Sequence, residues 1–433
     1  MRVSGAVIGN ALEWYDFMVY AFMTPIISRL FFPVDPNNPA SHINALLATT
    51  AVFGVGFFMR PVGGVVLGII GDKFGRRKAM LMGMVLMAIA TVIMTFAPTY
   101  KQIGLTAPLF ILVSRLLEGF SVGGEFGTST SYLIEMAPKG KSGIYGSWQM
   151  TGQVAALVVG AGFGVFMTQI FTPAQLDSGL WRVPFGFGLV IIPGAWYIRR
   201  YLQETQAFID MKKDQKANPG KGMGKDLVGH TRHLLVSIGM ITASAVSFYG
   251  IFTYTVTYAK VVLKLTVKDG FLAELVGALV LLVVIPLGGL LCDRFKDQRK
   301  QMLLLFLGLY FVVMYPLYAW QMVNPSLTKL IVVQLCICPF AALFLGVYCT
   351  TMSELFPARI RSTGLSVANN ISVLVFGGFA QFFLVWIFKL TGSPLSPVYY
   401  VMGGIALGLL GAAFMPGRKD LPASSPEVAP VLS

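Results

Sequence analysis

The chain alternates long apolar runs with short polar breaks. Runs of the length that crosses roughly 30 Å of hydrocarbon as a helix fall near 3–31, 45–70, 79–97, 108–136, 144–170, 183–203, 232–260, 271–292, 301–321, 328–356, 362–390 and 396–416. This pattern predicts twelve transmembrane helices, and so an all-α polytopic membrane protein. The first run, Val3 to Phe32, has no charged leader and no cleavage site, and it is long enough to span; the first helix is therefore expected to stay in the mature chain. One long polar segment, "QETQAFIDMKKDQKANPGKGMGKDLVGHTR", separates the sixth run from the seventh, and its Lys, Gly and Pro content cannot build a core. The expected organisation is an N-terminal six-helix bundle (1–203), a cytoplasmic central loop (204–231), a C-terminal six-helix bundle (232–416) and a cytoplasmic tail (417–433).

Charge then orients the spans. Of 33 basic residues, 23 fall in Arg2, the 71–78, 137–143, 293–300 and 357–361 loops, the central segment with Arg199 and Arg200, and the tail. Eight lie on the other face, and Arg60 and Arg115 fall within spans. Basic residues are retained on the cytoplasmic side, so both termini are expected inside, in the inner membrane of a bacterium. The net charge of +14 then reads as topology and attraction to anionic lipid. Nucleic acid is not an expected partner, because the basic residues are scattered over short loops. The four cysteines lie in or beside apolar segments without paired spacing and read as small hydrophobes. No nucleophile, metal cluster or phosphate loop appears in the spans. No enzyme activity, cofactor or metal is expected, and the chain is expected to work as a monomer in the bilayer.

An internal repeat supports the division into halves. "GIIGDKFGRRK" after the second span is echoed by "GLLCDRFKDQRK" after the eighth, and "EMAPKGKSG" after the fourth by "ELFPARIRSTG" after the tenth. Asp72 and Asp293 are 221 residues apart, and Glu135 and Glu354 are 219 apart. Two landmarks at nearly one offset argue for a duplicated six-helix unit in parallel orientation, the layout in which a site forms near the midplane between the halves.

The loop Gly68-x-x-x-Asp72-x-x-Gly75-Arg76-Arg77-Lys78 resembles the signature loop of the major facilitator superfamily, in which it helps close the cytoplasmic gate. The resemblance implies gating roles for Asp72, Arg76 and Arg77. The copy at 289–300 keeps Gly289 and Asp293 but loses the Gly-Arg pair, so the gate role is carried strongly only to the first copy. "GNALEWYDF" (9–17), "FFMRPVGG" (57–64), "RLLEGFSVGGEFG" (115–127) and "WRVPFGFG" (181–188) together resemble the metabolite:proton symporter branch, which imports citrate, α-ketoglutarate, shikimate, proline and betaine with protons. "GIYGSWQMTGQ" (143–153) and "RRYLQETQAF" (199–208) are most similar to citrate and tricarballylate carriers. The implied function is import of a tricarboxylate together with protons, with a dicarboxylate or zwitterion as the alternative cargo.

The charges inside spans are where such chemistry would sit. At 100° per residue, Arg115, Glu118 and Glu125 fall within an arc of roughly 80° on one helix face. Each charge at bilayer depth costs at least about 2.5 to 3.5 kcal/mol, so that face is expected to look into protein or water. Arg115 and Arg60 are candidate anion ligands, because planar guanidinium groups match carboxylates bidentately. In the first span Asn10, Glu13 and Asp16 recur every three residues, and Tyr20 lies about 20° from Glu13. Asp16, Glu13, Glu118 and Glu125 are candidate proton carriers, the alternative being ion pairs with Arg60 or Arg115 that only fasten helices together. Asn10 and Tyr20 are weaker candidate contacts to the solute. Tyr145, Gln149 and Gln153 form a polar stripe at spacing four on the fifth span. Across the pseudo-twofold, "SFYGIFTYTVTY" places Tyr249 and Thr253 on one stripe, and the eleventh span adds Asn369. Glu274, near the outer end of the eighth span, reads as a solvated charge close to a loop.

Overall fold

The computed structural model describes the chain except residues 1, 35–37, 75, 124, 190–192, 194–228, 358–359 and 418–433. Some side chains within its helices also lie outside the description, among them those of Glu13, Asp72, Arg76, Arg77 and Glu125. The described residues are helical with no strand, and nine spans among them are long and apolar enough to cross a membrane.

The helices follow the apolar runs: α1 (Arg2–Phe31), α2 (Pro39–Gly56 continued by Met59–Phe74), α3 (Arg76–Phe96), α4 (Ala107–Val122 continued by Glu125–Glu135) and α5 (Ser142–Ile170). Of the sixth run, residues 183–189 are described and helical, and form α6. The second half has α7 (Thr231–Ser247, a π-helical turn Phe248–Phe252, then Thr255–Val261), α8 (Val267–Arg294), α9 (Arg299–Met322) and α10 (Leu327–Glu354). It ends in α11 (Arg361–Ser372, a π-helical turn Val373–Gly378, then Ala380–Thr391) and α12 (Ser396–Phe414). Large apolar side chains such as Val65, Phe96, Leu105, Phe166, Val283 and Val312 stand exposed, as a surface bathed in lipid requires.

The interruptions have local causes. Proline lacks an N–H and is tolerated in the first turn of a helix; Pro61 sits there in the second segment of α2, just after the break at Phe57 and Phe58. Arg60 therefore lies at the joint. The first segment of α4 ends at Gly123, and the π-turn of α11 ends in Gly377–Gly378.

Glycines also set the closest helix contact. A Cβ at Gly119 would strike the carbonyl of Gly56, one at Gly63 the carbonyl of Phe120, and one at Gly123 the carbonyl of Arg60. The backbones of α2 and α4 thus touch along a small-residue seam, a common device where helices cannot rely on hydrophobic drive. The seam brings Arg60 and Arg115 into one neighbourhood.

The two halves meet at both ends. Toward one end Thr350 donates to the Ser142 carbonyl at 2.9 Å, and Asn370 donates to the Gly123 carbonyl at 3.0 Å. Toward the other Phe22 meets Phe271 edge-on, with centroids 6.1 Å apart, and Lys389 donates to Asn44 at 2.8 Å.

Candidate solute and proton site

The centre of the molecule is an ion network set in aromatic rings. Nη2 of Arg115 donates to Glu118, one turn along α4, and approaches Asp16 of α1 at 3.5 Å. All three side chains are buried, Glu118 fully. Thr91 of α3 points its hydroxyl at Asp16 at 3.4 Å while bonding the Met87 carbonyl at 3.0 Å. Nε and Nη1 of Arg115, and the second oxygens of Asp16 and Glu118, have no hydrogen-bond partner among the described residues. The guanidinium lies over the Tyr20 ring at 4.6 Å, and Tyr20 in turn bonds the Thr49 carbonyl at 3.1 Å and stacks on Phe53 at 5.7 Å.

Arg60 occupies an aromatic cage. Its guanidinium carbon is 4.1 Å from the ring of Phe57, 4.9 Å from Phe17 and 5.7 Å from Trp14, distances at which a cation is attracted to a ring face. From the C-terminal half Tyr249 closes the cage: its ring is 5.5 Å from Phe57 and 6.1 Å from Trp14, and its hydroxyl is within electrostatic reach of Arg60. Arg60 and Glu118 are also in electrostatic reach of each other. Two cations and two acids are therefore gathered from α1, α2 and α4, with one tyrosine from the opposite half.

The remaining candidates divide. Asn10 donates to the Gln149 backbone carbonyl at 3.1 Å and so ties α1 to α5. Gln149 accepts from Ser129 at 3.0 Å, and its own amide nitrogen, like that of Gln153, is buried without a partner among the described residues. Tyr145 is half-buried in the first turn of α5. Thr253 is buried and accepts from Gln381 of α11 at 3.1 Å. Tyr249 lies within the π-turn and Thr253 just after it; the Tyr249 ring packs on Phe57 of the N-terminal half and on Gly377 of α11, and Thr253 on Gln381 of α11. Asn369 is buried in the first segment of α11. The side chains of Glu13, Glu125, Asp72, Arg76 and Arg77 lie outside the described residues.

The expectation for Glu274 is overturned. It is 1% exposed, enclosed by Thr255 of α7, Tyr318 of α9 and Cys338 of α10. The wheel of one helix places a residue on a face but carries no information about which neighbour covers that face.

A model for the sugar (and other) transporter family matches residues 3–218 and 195–425. The chain belongs to that family. The citrate-proton symporter of Klebsiella pneumoniae is 33% identical over 411 residues, covering 95% of this chain and 90% of that protein. The proline/betaine transporter of Escherichia coli K12 is also 33% identical, over 431 residues, covering 97% and 84%. Among solved structures, the proton:xylose symporter XylE of the major facilitator superfamily has a TM-score of 0.76 at 16% identity, covering 97% of this chain and 95% of that one. The fold is thus the two-bundle, twelve-helix architecture of that superfamily, and the protein is a multi-pass membrane transporter rather than an enzyme.

The second copy of the signature loop spans the halves: Asp293 accepts the backbone N–H groups of Gly143 at 2.6 Å and Ile144 at 2.9 Å at the start of α5. A carboxylate is favoured there by the unpaired amides and the helix dipole. Beside it Arg299 pairs with Glu354, and Gly143 and Gly289 pass so closely that neither tolerates a side chain. The signal was present as the echo of Asp72 in Asp293. The missing Gly-Arg pair obscured it, although the contact uses neither residue.

Proposed function

We propose that the protein is a proton symporter that imports a tricarboxylate such as citrate or tricarballylate across the bacterial inner membrane by alternating access, with both termini in the cytoplasm. The observation that carries this reading is the gathering of Arg60 and Arg115 with Asp16 and Glu118 at the meeting of α1, α2 and α4. The equal similarity to a citrate carrier supports it. Fully ionised, two guanidinium and two carboxylate groups cancel. Each proton taken up by Asp16 or Glu118 leaves one positive charge uncompensated, which draws in an anion; release of the proton inside restores the acid's claim on Arg115 and expels the cargo. Proton and anion binding thereby become mutually dependent, the reciprocity that any coupled carrier needs. Gln149 and Gln153, with spare amide donors facing the buried stripe of α5, and Tyr145, Tyr20, Tyr249, Thr253 and Asn369 complete the candidate contacts. Asn10 acts by holding α1 to α5. Glu13 and Glu125 remain candidate acids of the same relay. The six-helix halves, 1–203 and 232–416, are the moving units, with Asp72, Arg76 and Arg77 closing the inner gate beside the Asp293 contact.

The aromatic cage favours one other cargo. Trp14, Phe17, Phe57 and Tyr249 around a cation are also the surroundings that suit a quaternary ammonium, and the chain is as similar to a proline/betaine transporter as to a citrate carrier. Uptake of labelled citrate into proteoliposomes, competed by tricarballylate, α-ketoglutarate, proline and betaine, decides between them. Competition by tricarballylate alone is the expected result. Competition by betaine or proline without any tricarboxylate effect overturns the tricarboxylate reading.

A further inference from the structure

Thr255 fixes the direction of a hydrogen-bond chain in the C-terminal half. Its hydroxyl donates to the Ile251 carbonyl at 2.7 Å and accepts Nε2 of Gln334 at 2.8 Å. Oε1 of Gln334 in turn accepts the thiol of Cys338 at 3.3 Å. A hydroxyl has one hydrogen to give and two lone pairs. The hydrogen of Thr255 is committed, and one lone pair is left. Glu274 is buried beside that hydroxyl, and its Oε2 has no partner among the described residues. A carboxylate has nothing to donate to the remaining lone pair; a carboxylic acid does.

The surroundings agree. The ionisable groups facing Glu274 are Tyr318 from α9 and Cys338 from α10, with Tyr258 of α7 behind Tyr318 at 5.6 Å between ring centroids. The fifth helix, which also packs on α8, has no charged residue over 142–170. The ion pairs at Arg29, Arg115 and Arg299 lie elsewhere. A negative charge here would be buried without a counter-charge, which costs several kcal/mol on any scale. A small cleft lined by Tyr254, Thr255, Tyr258 and Tyr318 runs beside the chain. The lid over Glu274 is the outer segment of α7, Thr255–Val261, which is separated from the rest of its helix by the π-turn and the break at Thr253 and Tyr254.

We propose that Glu274 is a proton-binding site of the C-terminal half, separate from the Asp16, Glu118 and Arg115 network. It holds its proton while the outer segment of α7 lies on α8, and releases it when that segment lifts and water reaches the carboxyl. Acid outside the cell then favours the closed outer face, whichever solute is carried.

The test is infrared difference spectroscopy of the full-length protein in lipid nanodiscs, titrated from acid to alkaline pH without solute. The parent should show a carboxylic acid C=O band that fades as pH rises and that is missing from Glu274→Gln. Thr255→Val, which removes the acceptor and keeps the acid, should move that band's frequency and its midpoint. A Glu274→Gln spectrum identical to the parent's overturns the proposal, as does a Thr255→Val band at the parent's position should the glutamine variant fail to fold. Neither measurement depends on transport, so failure of the tricarboxylate reading would leave this result standing.

Discussion

The two halves bury charge in opposite ways. The N-terminal half gathers Arg60, Arg115, Asp16 and Glu118 so that their charges cancel within one network. Among the described residues of the C-terminal half the one buried acid is Glu274, set among neutral donors and acceptors. Under the proposals above, a balanced network is tilted toward an anion by one added proton and so couples two ligands, whereas an acid with neutral neighbours has no second ligand to exchange for its proton and responds only to its lid. The contrast between the two sites is what experiment has to test.

Four experiments break or sharpen this contrast. The largest effect is expected from Gly119→Leu, whose side chain must displace the Gly56 carbonyl and part α2 from α4; loss of the folded, monodisperse protein in size-exclusion chromatography is the outcome, whereas a stable variant would show that the seam does not hold the two arginines together. Arg115→Ala comes next. It leaves a carboxylate of the ligand buried without its partner, which costs about 2–5 kcal/mol, so citrate affinity by calorimetry should fall by a factor of at least about 30, using 1.4 kcal/mol per tenfold. Unchanged affinity would remove Arg115 from the anion site. Asp16→Asn should preserve citrate exchange between equal concentrations yet abolish accumulation driven by a pH gradient; retained accumulation would assign the coupled proton elsewhere. The smallest effect is expected from Asp293→Ala. A lost helix cap costs about 0.5–2 kcal/mol, so labelling of a cysteine placed in the cytoplasmic cleft should rise several-fold with little change in solute affinity.

The twelve runs, the repeat and the charged face of α4 were legible because each rests on a local rule: length against bilayer thickness, offset between echoes, and angle around one helix. What escaped depended on a neighbour. Glu274 sits near a helix end, where water is the ordinary surrounding, and only the packing of α7, α9 and α10 buries it. The π-turn at Phe248–Phe252 carries no mark in a 3.6-residue period. Asp293 was discounted for the loss of an adjoining Gly-Arg pair, yet its contact needs only a carboxylate and two open amides at the start of α5.

Trp14 gives the molecule an optical signal of its own. Its indole lies 5.4 Å from the ring of Phe248 and 6.1 Å from that of Tyr249, both contributed by the other half, with the Arg60 cation 5.7 Å away. Any rocking that parts the halves strips this fluorophore of its neighbours. With five further tryptophans in the chain replaced by phenylalanine, its emission would follow each turnover without an added dye.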